Sequence, residues 1–372
     1  MRRHIDAGDI PGAVVLVARS GRVVYLDAIG NIDAQTPLRQ DTIFWAASMT
    51  KPVVATAVLM MVEEGKVTLG DPVSRFIPEF KARAMVRMPR AGSPPPGGGP
   101  DTPKPQYDLL PATRPITVQD LLTHTSGLQV IGVPNEHIAP LQAGDTLAKW
   151  VPGLGHVPLE FQPGTKWGYS NATGFDVLAR IVEVASGQPF DAFVRQRIFM
   201  PLGMQSSSFG PRADLAARNM PVAPPLADNP CINGKTFICG SAGLWTSAAD
   251  YARFAQMLLN GGELDGKRIL GPRQVAALHA NHTGKLFPGS SGVPGADKGV
   301  GFGFGVVVVQ DAAAAGLAVS DGSYGWDGVG TRRFWVIPQQ QMVIVMLVPS
   351  GKAAPVHREI EGIAMSALLT GS

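Results

Sequence analysis

A serine and a lysine stand three residues apart at the predicted start of an apolar helix. The segment FWAASMTKPVVATAVLMMVEEG runs from Phe44 to Gly65, and in it Ser48 precedes Lys51. Side chains three apart on a helix share a face and can touch. A serine hydroxyl is a poor nucleophile until a base removes its proton. Partial removal from water at a helix N-terminus disfavours the ammonium form of a lysine, which can then be that base.

A tyrosine is the second candidate for proton transfer. In PGTKWGYSNATG, Tyr169 comes two residues before Asn171, where another helix is predicted to begin. A phenol that is hydrogen-bonded to a lysine can share proton transfer with a nearby serine, and the Asn171 amide can bind a substrate carbonyl. The alternatives are structural: a packing aromatic here, and a helix-capping serine with a surface-reaching lysine at Ser48 and Lys51.

A third segment combines glycines with an apolar strand. SDGSYGWDGVGTRRFWVIP, residues 320–338, contains Trp326, Asp327 and Gly328, with another glycine at Gly330. Glycines let a ligand approach the backbone of an edge strand closely. Exposed N–H groups there, together with the N–H of Ser48, can form an oxyanion hole, in which one donor lowers the barrier to acyl transfer by about 3 kcal/mol.

The elements that must position these residues come from both ends of the chain. AVVLVARSGRVVYLD predicts a β-hairpin that turns at Ser20-Gly21, and residues 301–311, 331–338 and 341–349 predict further strands. An amphipathic helix is predicted over 356–369, and the middle of the chain has mostly helical patterns. We therefore expect one antiparallel sheet closed by the two chain ends, with a helical region inserted.

Two further segments bear on local structure. Residues 89–115 are so rich in proline and glycine that they predict a long surface loop, which could cover a site. Cys231 and Cys239 are expected to be reduced thiols, because no export signal precedes them; a bridge across their small loop is the alternative.

Composition and charge exclude several classes of partner. The net charge is only +3, from 32 basic and 29 acidic residues that are scattered along the chain, so no nucleic-acid partner is expected. The N-terminal apolar run, residues 13–18, is too short for an export signal or a membrane span. We expect a cytoplasmic protein without a membrane partner. The histidines and cysteines do not form a metal-ligand pattern, and no metal is expected.

In this order the three motifs resemble those of class C β-lactamases and their esterase relatives. The matching residues are Ser48-Met49-Thr50-Lys51, Tyr169-Ser170-Asn171 and Trp326-Asp327-Gly328, with support from DLLTHTSGL at 120–128 and GSAGLWTSAADYARFAQMLLNGG at 240–262. The resemblance spans essentially the whole chain. It implies an α/β plus all-α fold, as in β-lactamases and penicillin-binding proteins, with an α/β domain from 1–75 and 240–372 and a mostly helical domain at 76–239.

The resemblance also implies roles for individual residues. Ser48 is expected to be the nucleophile of an acyl-enzyme mechanism, Lys51 its base or proton partner, and Tyr169 an aid to proton transfer. The backbone N–H groups of Ser48 and Val329 are expected to form the oxyanion hole. No cofactor is implied.

The third motif departs from the β-lactamase pattern. β-Lactamases and cell-wall peptidases usually have Lys-Thr-Gly or a histidine variant there, whereas this chain has Trp326 followed by Asp327. Losing a cation and gaining a carboxylate disfavours anionic β-lactams, and tryptophan is typical of family VIII carboxylesterases. Arg332 and Arg333 could replace the cation but are expected to be solvated strand residues. Trp245 is expected either to line the acyl pocket or to be a core aromatic.

These features predict a serine carboxylesterase for small, fairly apolar acyl esters. Its expected substrate-binding residues are Asn171, Trp326, Asp327, Gly328 and Trp245. An acyltransferase using the same acyl-enzyme is the nearest alternative, followed by a β-lactamase or D-amino peptidase, and a catalytically silent scaffold is the alternative from another class. A small-molecule ester is the expected partner, and the sequence does not specify an oligomeric state.

Overall fold

Strands from both ends of the chain share one sheet. The computed structural model describes residues 1–33, 35–81, 84–94, 105–222, 226–290, 293–330, 332–349 and 353–367. The strands in this part of the chain are β1 (Gly12–Arg19), β2 (Arg22–Gly30), β3 (Ile43–Trp45), β4 (Met85–Pro89), β5 (Tyr107–Pro111), β6 (Ser208–Phe209), β7 (Leu244–Ser247), β8 (Glu263–Leu264), β9 (Lys267–Arg268), β10 (Gly289–Ser290), β11 (Val293–Pro294), β12 (Val300–Phe302), β13 (Val307–Val309), β14 (Tyr324–Gly328), β15 (Arg332–Ile337) and β16 (Met342–Leu347).

The main sheet is antiparallel and has seven strands in the order β12-β13-β14-β15-β16-β1-β2. The N-terminal hairpin joins the C-terminal strands where β1 pairs with β16, with Val14 opposite Leu347. The turn of this hairpin is Ser20-Gly21, and both residues have positive φ, 50° and 76°. Such a two-residue turn matches the twist of the flanking strands. The predicted sheet, closed by the two chain ends, is confirmed.

Helices cover both faces of this sheet. The described α-helices are α1 (Arg2–Asp6), α2 (Thr50–Glu63), α3 (Val118–Leu122), α4 (Leu147–Trp150), α5 (Gly174–Ser186), α6 (Phe190–Val194), α7 (Pro230–Asn233), α8 (Ala248–Leu259), α9 (Pro272–Leu278), α10 (Ala312–Ala315) and α11 (Ala353–Ser366). Successive residues of β15 point to opposite faces. Phe334 contacts Tyr251 of α8 at 5.0 Å between ring centres, and the Trp335 indole N–H donates to Glu361 of α11.

Helix α2 lies in the core on all sides. Every residue from Thr50 to Met61 is buried, and the helix packs against α5. A helix that is apolar all round belongs in a protein interior, and here it links the sheet to the helical part of the chain. These elements form the β-lactamase and penicillin-binding-protein type of fold that the sequence predicts, whereas the domain boundaries at 75 and 240 stay a prediction.

The prediction of an irregular loop over 89–115 is wrong where this segment contributes to strands β4 and β5. Strand β4 pairs with β5 in an antiparallel hairpin, with Met85 opposite Pro111 and Pro89 opposite Tyr107. Cross-strand pairing satisfies the backbone here despite the high proline content. Residues 95–104 lie outside the described part of the chain. The C-terminal helix also begins three residues earlier than predicted, at Ala353 instead of Val356.

The prediction of reduced cysteines is wrong as well. Cys231 and Cys239 form a disulfide with their Cα atoms 4.9 Å apart. The short helix α7 ends at Gly234, whose φ of 59° turns the chain back, so that Cys239 can reach Cys231. A left-handed conformation of this kind favours glycine.

Arg332 and Arg333 are buried rather than solvated, which corrects the expectation for both. Arg333 binds both carboxylate oxygens of Asp327 at 2.7 Å and Glu361 at 3.1 Å. The guanidinium of Arg332 donates to the carbonyls of Val329 and Pro349, and burial lowers its pKa to about 10. Covering by α11 explains the burial of Arg333, because its side chain points to the face of the sheet that this helix occupies.

One carboxyl group is completely buried in the first turn of α5. Asp176 is 1% exposed, and its Oδ1 accepts the N–H of Ser241 at 3.0 Å. Removal from water disfavours the charged form of a carboxyl group, and this burial raises the pKa of Asp176 to about 7. In weakly acidic solution the group is therefore mostly protonated in the folded protein and ionised in the unfolded chain.

Loss of the buried arginine should destabilise the fold strongly. In Arg333→Met the buried carboxylate of Glu361 and the partly buried one of Asp327 lose their cation, which should lower the free energy of unfolding by about 3–5 kcal/mol. Arg333→Lys keeps the charge and should lose less. Urea unfolding measures both, and a loss below about 1 kcal/mol in Arg333→Met would contradict the structural role of the network.

The burial of Asp176 should appear in the pH dependence of stability. Because the folded-state pKa is raised, the folded protein binds more protons than the unfolded chain between the two pKa values, and stability falls as pH rises through this window. Asn at this position cannot titrate. The free energy of unfolding of the wild type relative to Asp176→Asn should therefore fall by about 2 kcal/mol from about pH 5 to about pH 7. A difference independent of pH would show that the carboxyl is not in this environment.

Candidate active site

Ser48 lies in a tight turn between β3 and α2. The turn, Ala47–Met49, begins at Ala47, whose φ of 49° is unusual for a residue other than glycine. Thr50 secures the turn from the helix side: its hydroxyl donates to Ala47 O at 2.6 Å and accepts the N–H of Leu244 at 3.1 Å. Ser48 thus stands two residues before the first helical residue, with its backbone fixed by neighbours in both β7 and α2.

The amino group of Lys51 is buried next to Ser48. Its Nζ lies 3.3 Å from Ser48 Oγ, 2.8 Å from the carbonyl oxygen of Ser241 and 3.3 Å from that of Asn171. The two carbonyls can only accept, so they take two N–H groups of the amine. The third tetrahedral position faces Ser48 Oγ. There an ammonium donates a hydrogen bond, and a neutral amine accepts the serine proton.

Tyr169 completes the group around the serine. Its hydroxyl donates to Ser48 Oγ at 2.7 Å, and Lys51 Nζ lies 4.9 Å from the centre of its ring. The helix predicted to start at Asn171 begins at Gly174, so Tyr169 lies in the loop before α5. The structure thus brings the side chain of Tyr169, distant in the sequence, together with those of Ser48 and Lys51.

The third motif packs directly against the turn that carries Ser48. Any Cβ at Gly328 would collide with the carbonyl oxygen of Ala46. A glycine is required at this position because the backbone at Ala46 lies so close to it. The sequence had instead suggested that the glycine makes room for a ligand. Val329 follows, 67% exposed, and Gly330 has a φ of 84°. This packing places the exposed turn with Val329 beside the serine segment.

Trp326 and Asp327 point to opposite faces of the sheet. The Trp326 ring is buried, with its centre 5.5 Å from that of Tyr169 and 5.2 Å from that of Phe302. Asp327 forms its bidentate pair with Arg333 on the face covered by α11. Asp327 therefore does not point toward Ser48. The expectation that its carboxylate contacts substrate is wrong, because successive side chains of a strand point to opposite faces of the sheet.

Two other expected substrate-binding residues have different surroundings. Trp245 is 4% exposed, packs in a small cluster with Trp45, and donates its indole N–H to Ile232 O at 2.9 Å. It is a core aromatic, the second of the two alternatives expected for it, and this corrects its inclusion among the substrate-binding residues. Asn171 contributes its backbone carbonyl to Lys51, and binding of substrate by its side chain stays a prediction.

Three residues next to the site were not predicted from the sequence. Ser241 supplies a backbone carbonyl to Lys51, Asp176 binds the N–H of Ser241, and His124 packs against Tyr169 with ring centres 4.7 Å apart. His124 and Ser241 lie in DLLTHTSGL and GSAGLWTSAADYARF, which were used only as supporting matches. The sequence does mark both positions: His124 follows an apolar helical segment and precedes Gly127, and Ser241 lies between Gly240 and Gly243.

Two further findings concern the described residues as a group. They contain no set of three or more His, Cys, Asp or Glu side chains arranged to hold a metal ion. None of the helices described combines the length and apolar character needed to cross a membrane.

Comparison with known proteins places these features in a family. The chain matches the family model described as Beta-lactamase over residues 1–367. Esterase EstB of Burkholderia gladioli is 31% identical over 356 residues, covering 86% of this chain and 80% of the relative. Lovastatin esterase of Penicillium rubens is 29% identical over an aligned length of 385 residues, covering 90% of this chain and 88% of the relative.

A solved structure agrees with the fold. The protein titled "EstCE1, a hydrolase with promiscuous acyltransferase activity" superposes with a TM-score of 0.75 and 24% identity, covering 97% of this chain and 95% of its own. The family match covers almost all of the chain, and the named relatives are esterases. The chain therefore belongs to the beta-lactamase family, as a class C-like serine hydrolase related to the family VIII carboxylesterases.

Proposed function

We propose that the protein is a serine carboxylesterase that hydrolyses small, fairly apolar acyl esters through an acyl-enzyme on Ser48. One observation carries the proposal: Ser48 Oγ lies within hydrogen-bonding distance of both Lys51 Nζ and the Tyr169 hydroxyl. A nucleophile in contact with two groups that can move its proton is the arrangement that acyl transfer requires. The name of EstB, at 31% identity, supports an ester as the substrate.

The proposed acylation step uses all three side chains. Ser48 Oγ forms a bond to the ester carbonyl carbon while its proton passes to the neutral amine of Lys51, directly or through the Tyr169 hydroxyl. In the tetrahedral intermediate, the bond between the acyl carbon and the alcohol oxygen then breaks. The alcohol leaves with a proton from Lys51 and Tyr169. In deacylation, water gives a proton to this pair as its oxygen bonds to the acyl carbon. The bond between the acyl carbon and Ser48 Oγ then breaks, the pair returns the proton to Ser48 Oγ, and the acid leaves.

The negative charge of the intermediate needs donors that are already in place. We propose the backbone N–H groups of Ser48 and Val329 for this role. The contact between Gly328 and the Ala46 carbonyl supports the assignment, because it keeps the Val329 turn next to the serine turn. No side-chain cation is needed for an uncharged ester.

The surroundings of the third motif favour neutral substrates. Trp326 occupies the position of the cation that holds the carboxylate of β-lactams in related enzymes, and its ring is buried against Tyr169. Both guanidinium groups nearby are engaged, Arg333 with Asp327 and Arg332 with the carbonyls of Val329 and Pro349. The preference for esters therefore rests on the missing cation, since Asp327 points away from the site.

The location in the cytoplasm stays a prediction. The disulfide between Cys231 and Cys239 weighs against it, because such bonds persist mainly in oxidising compartments.

Substrate preference separates the esterase from its alternatives. The wild type should turn over p-nitrophenyl acetate faster than a chromogenic cephalosporin, and Ser48→Ala should lose at least about 10³-fold in ester hydrolysis. Product analysis with added methanol separates transfer of the acyl group from hydrolysis. Faster turnover of the cephalosporin would overturn the esterase proposal. Failure of a fluorophosphonate to label Ser48 would favour the silent scaffold.

Lys51→Met and Tyr169→Phe should separate the nucleophile from its proton-transfer partners. Each removes one group that contacts Ser48 Oγ, so kcat should fall by about 10²–10⁴-fold with little change in KM. Tyr169→Phe is the cleaner variant, because the ring keeps its packing against Trp326. Stopped-flow assays with p-nitrophenyl acetate give both constants. A Tyr169→Phe enzyme with wild-type kcat would remove the tyrosine from the mechanism.

A further inference from the structure

The hydroxyl of Tyr169 must be held by contacts outside regular secondary structure. Residues 166–170 belong to neither a helix nor a strand. A loop residue of this kind is placed by hydrogen bonds to its own backbone and by packing of its ring. The backbone carbonyl of Tyr169 accepts the N–H of Ile131 at 2.8 Å, and this hydrogen bond fixes one point of the segment.

His124 binds the peptide groups on both sides of Tyr169. The N–H of Gly168 donates to the backbone carbonyl of His124 at 2.9 Å. The N–H of Ser170 donates to the imidazole Nδ1 at 3.1 Å. One residue thus holds the chain immediately before and immediately after the tyrosine, and its ring also lies against the tyrosine ring, with centres 4.7 Å apart.

The protonation state of His124 is fixed by these contacts. An N–H can only donate, so Nδ1 must carry a lone pair and the ring hydrogen is on Nε2. Burial lowers the pKa of His124 well below its ordinary value. The ring is 1% exposed and is surrounded by the aromatic rings of Trp167, Phe175 and Phe302, besides that of Tyr169.

The backbone of His124 is held in an unusual conformation by the end of α3. Its φ is 58°, a region that non-glycine residues rarely adopt. Directly before it, α3 is anchored by a capping box in which the side chains of Thr117 and Asp120 bind each other's backbone N–H. The next residue, Thr125, donates its N–H to Asp120 O at 2.9 Å. A buried polar side chain held in a strained backbone often has a specific task at a site.

We propose that His124 is the positioning residue of Tyr169, fixing the phenol hydroxyl on Ser48 through its Nδ1 contact to Ser170 N–H and its backbone contact to Gly168. This inference rests on the proposed function, because it assigns the support of that reaction's proton-transfer group. His124 is buried, and its effect on the reaction is transmitted through the tyrosine.

Three substitutions of His124 separate the effect of its acceptor atom, Nδ1, from the effects of its backbone strain and of its side-chain volume. His124→Asn places Oδ1 where Nδ1 stands and tolerates positive φ. His124→Leu fills space without an acceptor, and His124→Gly relieves the φ strain without an acceptor. If strain relief alone mattered, the Gly variant would behave as well as the Asn variant. If packing alone mattered, the Leu variant would do so.

The kinetic readout is kcat per active site for p-nitrophenyl acetate, after titration with a fluorophosphonate. We expect kcat to fall by about 10- to 100-fold in the Leu and Gly variants with KM nearly unchanged, since misplacing a reacting group by about 1 Å costs this much. The Asn variant should recover most of the lost rate. A Leu variant with kcat close to wild type, or an Asn variant as slow as Leu, would overturn the inference.

A structural readout keeps the two proposals separable. In a crystal structure of His124→Asn, the Tyr169 hydroxyl should stay in hydrogen-bonding contact with Ser48 Oγ. In the structures of His124→Leu and His124→Gly, this hydroxyl should be displaced. An undisplaced hydroxyl in Leu would refute the role of His124 whatever the activity. A wild type that hydrolyses no ester, together with a displaced hydroxyl in Leu, would refute the esterase proposal and leave the positioning role supported.

Discussion

The buried amino group of Lys51 is the feature around which the site is arranged. An amine removed from water is tolerated only when its N–H groups have partners. Two of those partners are backbone carbonyls, from Asn171 before α5 and from Ser241 before β7. They come from segments far apart in the chain, so the amine is in place only when the helical region has packed onto the sheet. The contact of Lys51 with Ser48 is therefore a consequence of the complete fold.

Helix α2 makes this arrangement rigid. Because the helix is buried on every side from Thr50 to Met61, it cannot rotate or shift without disturbing the core. Lys51 lies in its first turn and Ser48 in the tight turn directly before it, whereas Tyr169 lies in a loop. Two of the three groups thus take their position from the core, and the third depends on local hydrogen bonds. The two groups are therefore held in different ways: carbonyls of two distant segments hold the lysine amine, whereas hydrogen bonds along its own loop hold the tyrosine.

The sequence predicted the parts of the site that depend on residue type and short spacing. Ser48 and Lys51 are separated by one helical turn, and the hairpin at Ser20-Gly21 follows from alternation and a turn pair. The carbonyl of Ser241 could not be predicted, because every residue has one. The direction of Asp327 depends on the phase of β14 and on α11 covering one face, and the pairing of Cys231 depends on the turn at Gly234. All three are set by tertiary structure.

The third motif shows how packing and chemistry are joined in this site. The Trp326 ring packs against both the Tyr169 ring and the Phe302 ring, so it helps to hold the tyrosine ring in place. A lysine there would have to bury its ammonium among aromatic rings, close to the tyrosine that Lys51 already approaches within 4.9 Å of the ring centre. The tryptophan therefore does more than omit a ligand for carboxylates: its ring packs against the tyrosine whose hydroxyl donates to Ser48 Oγ.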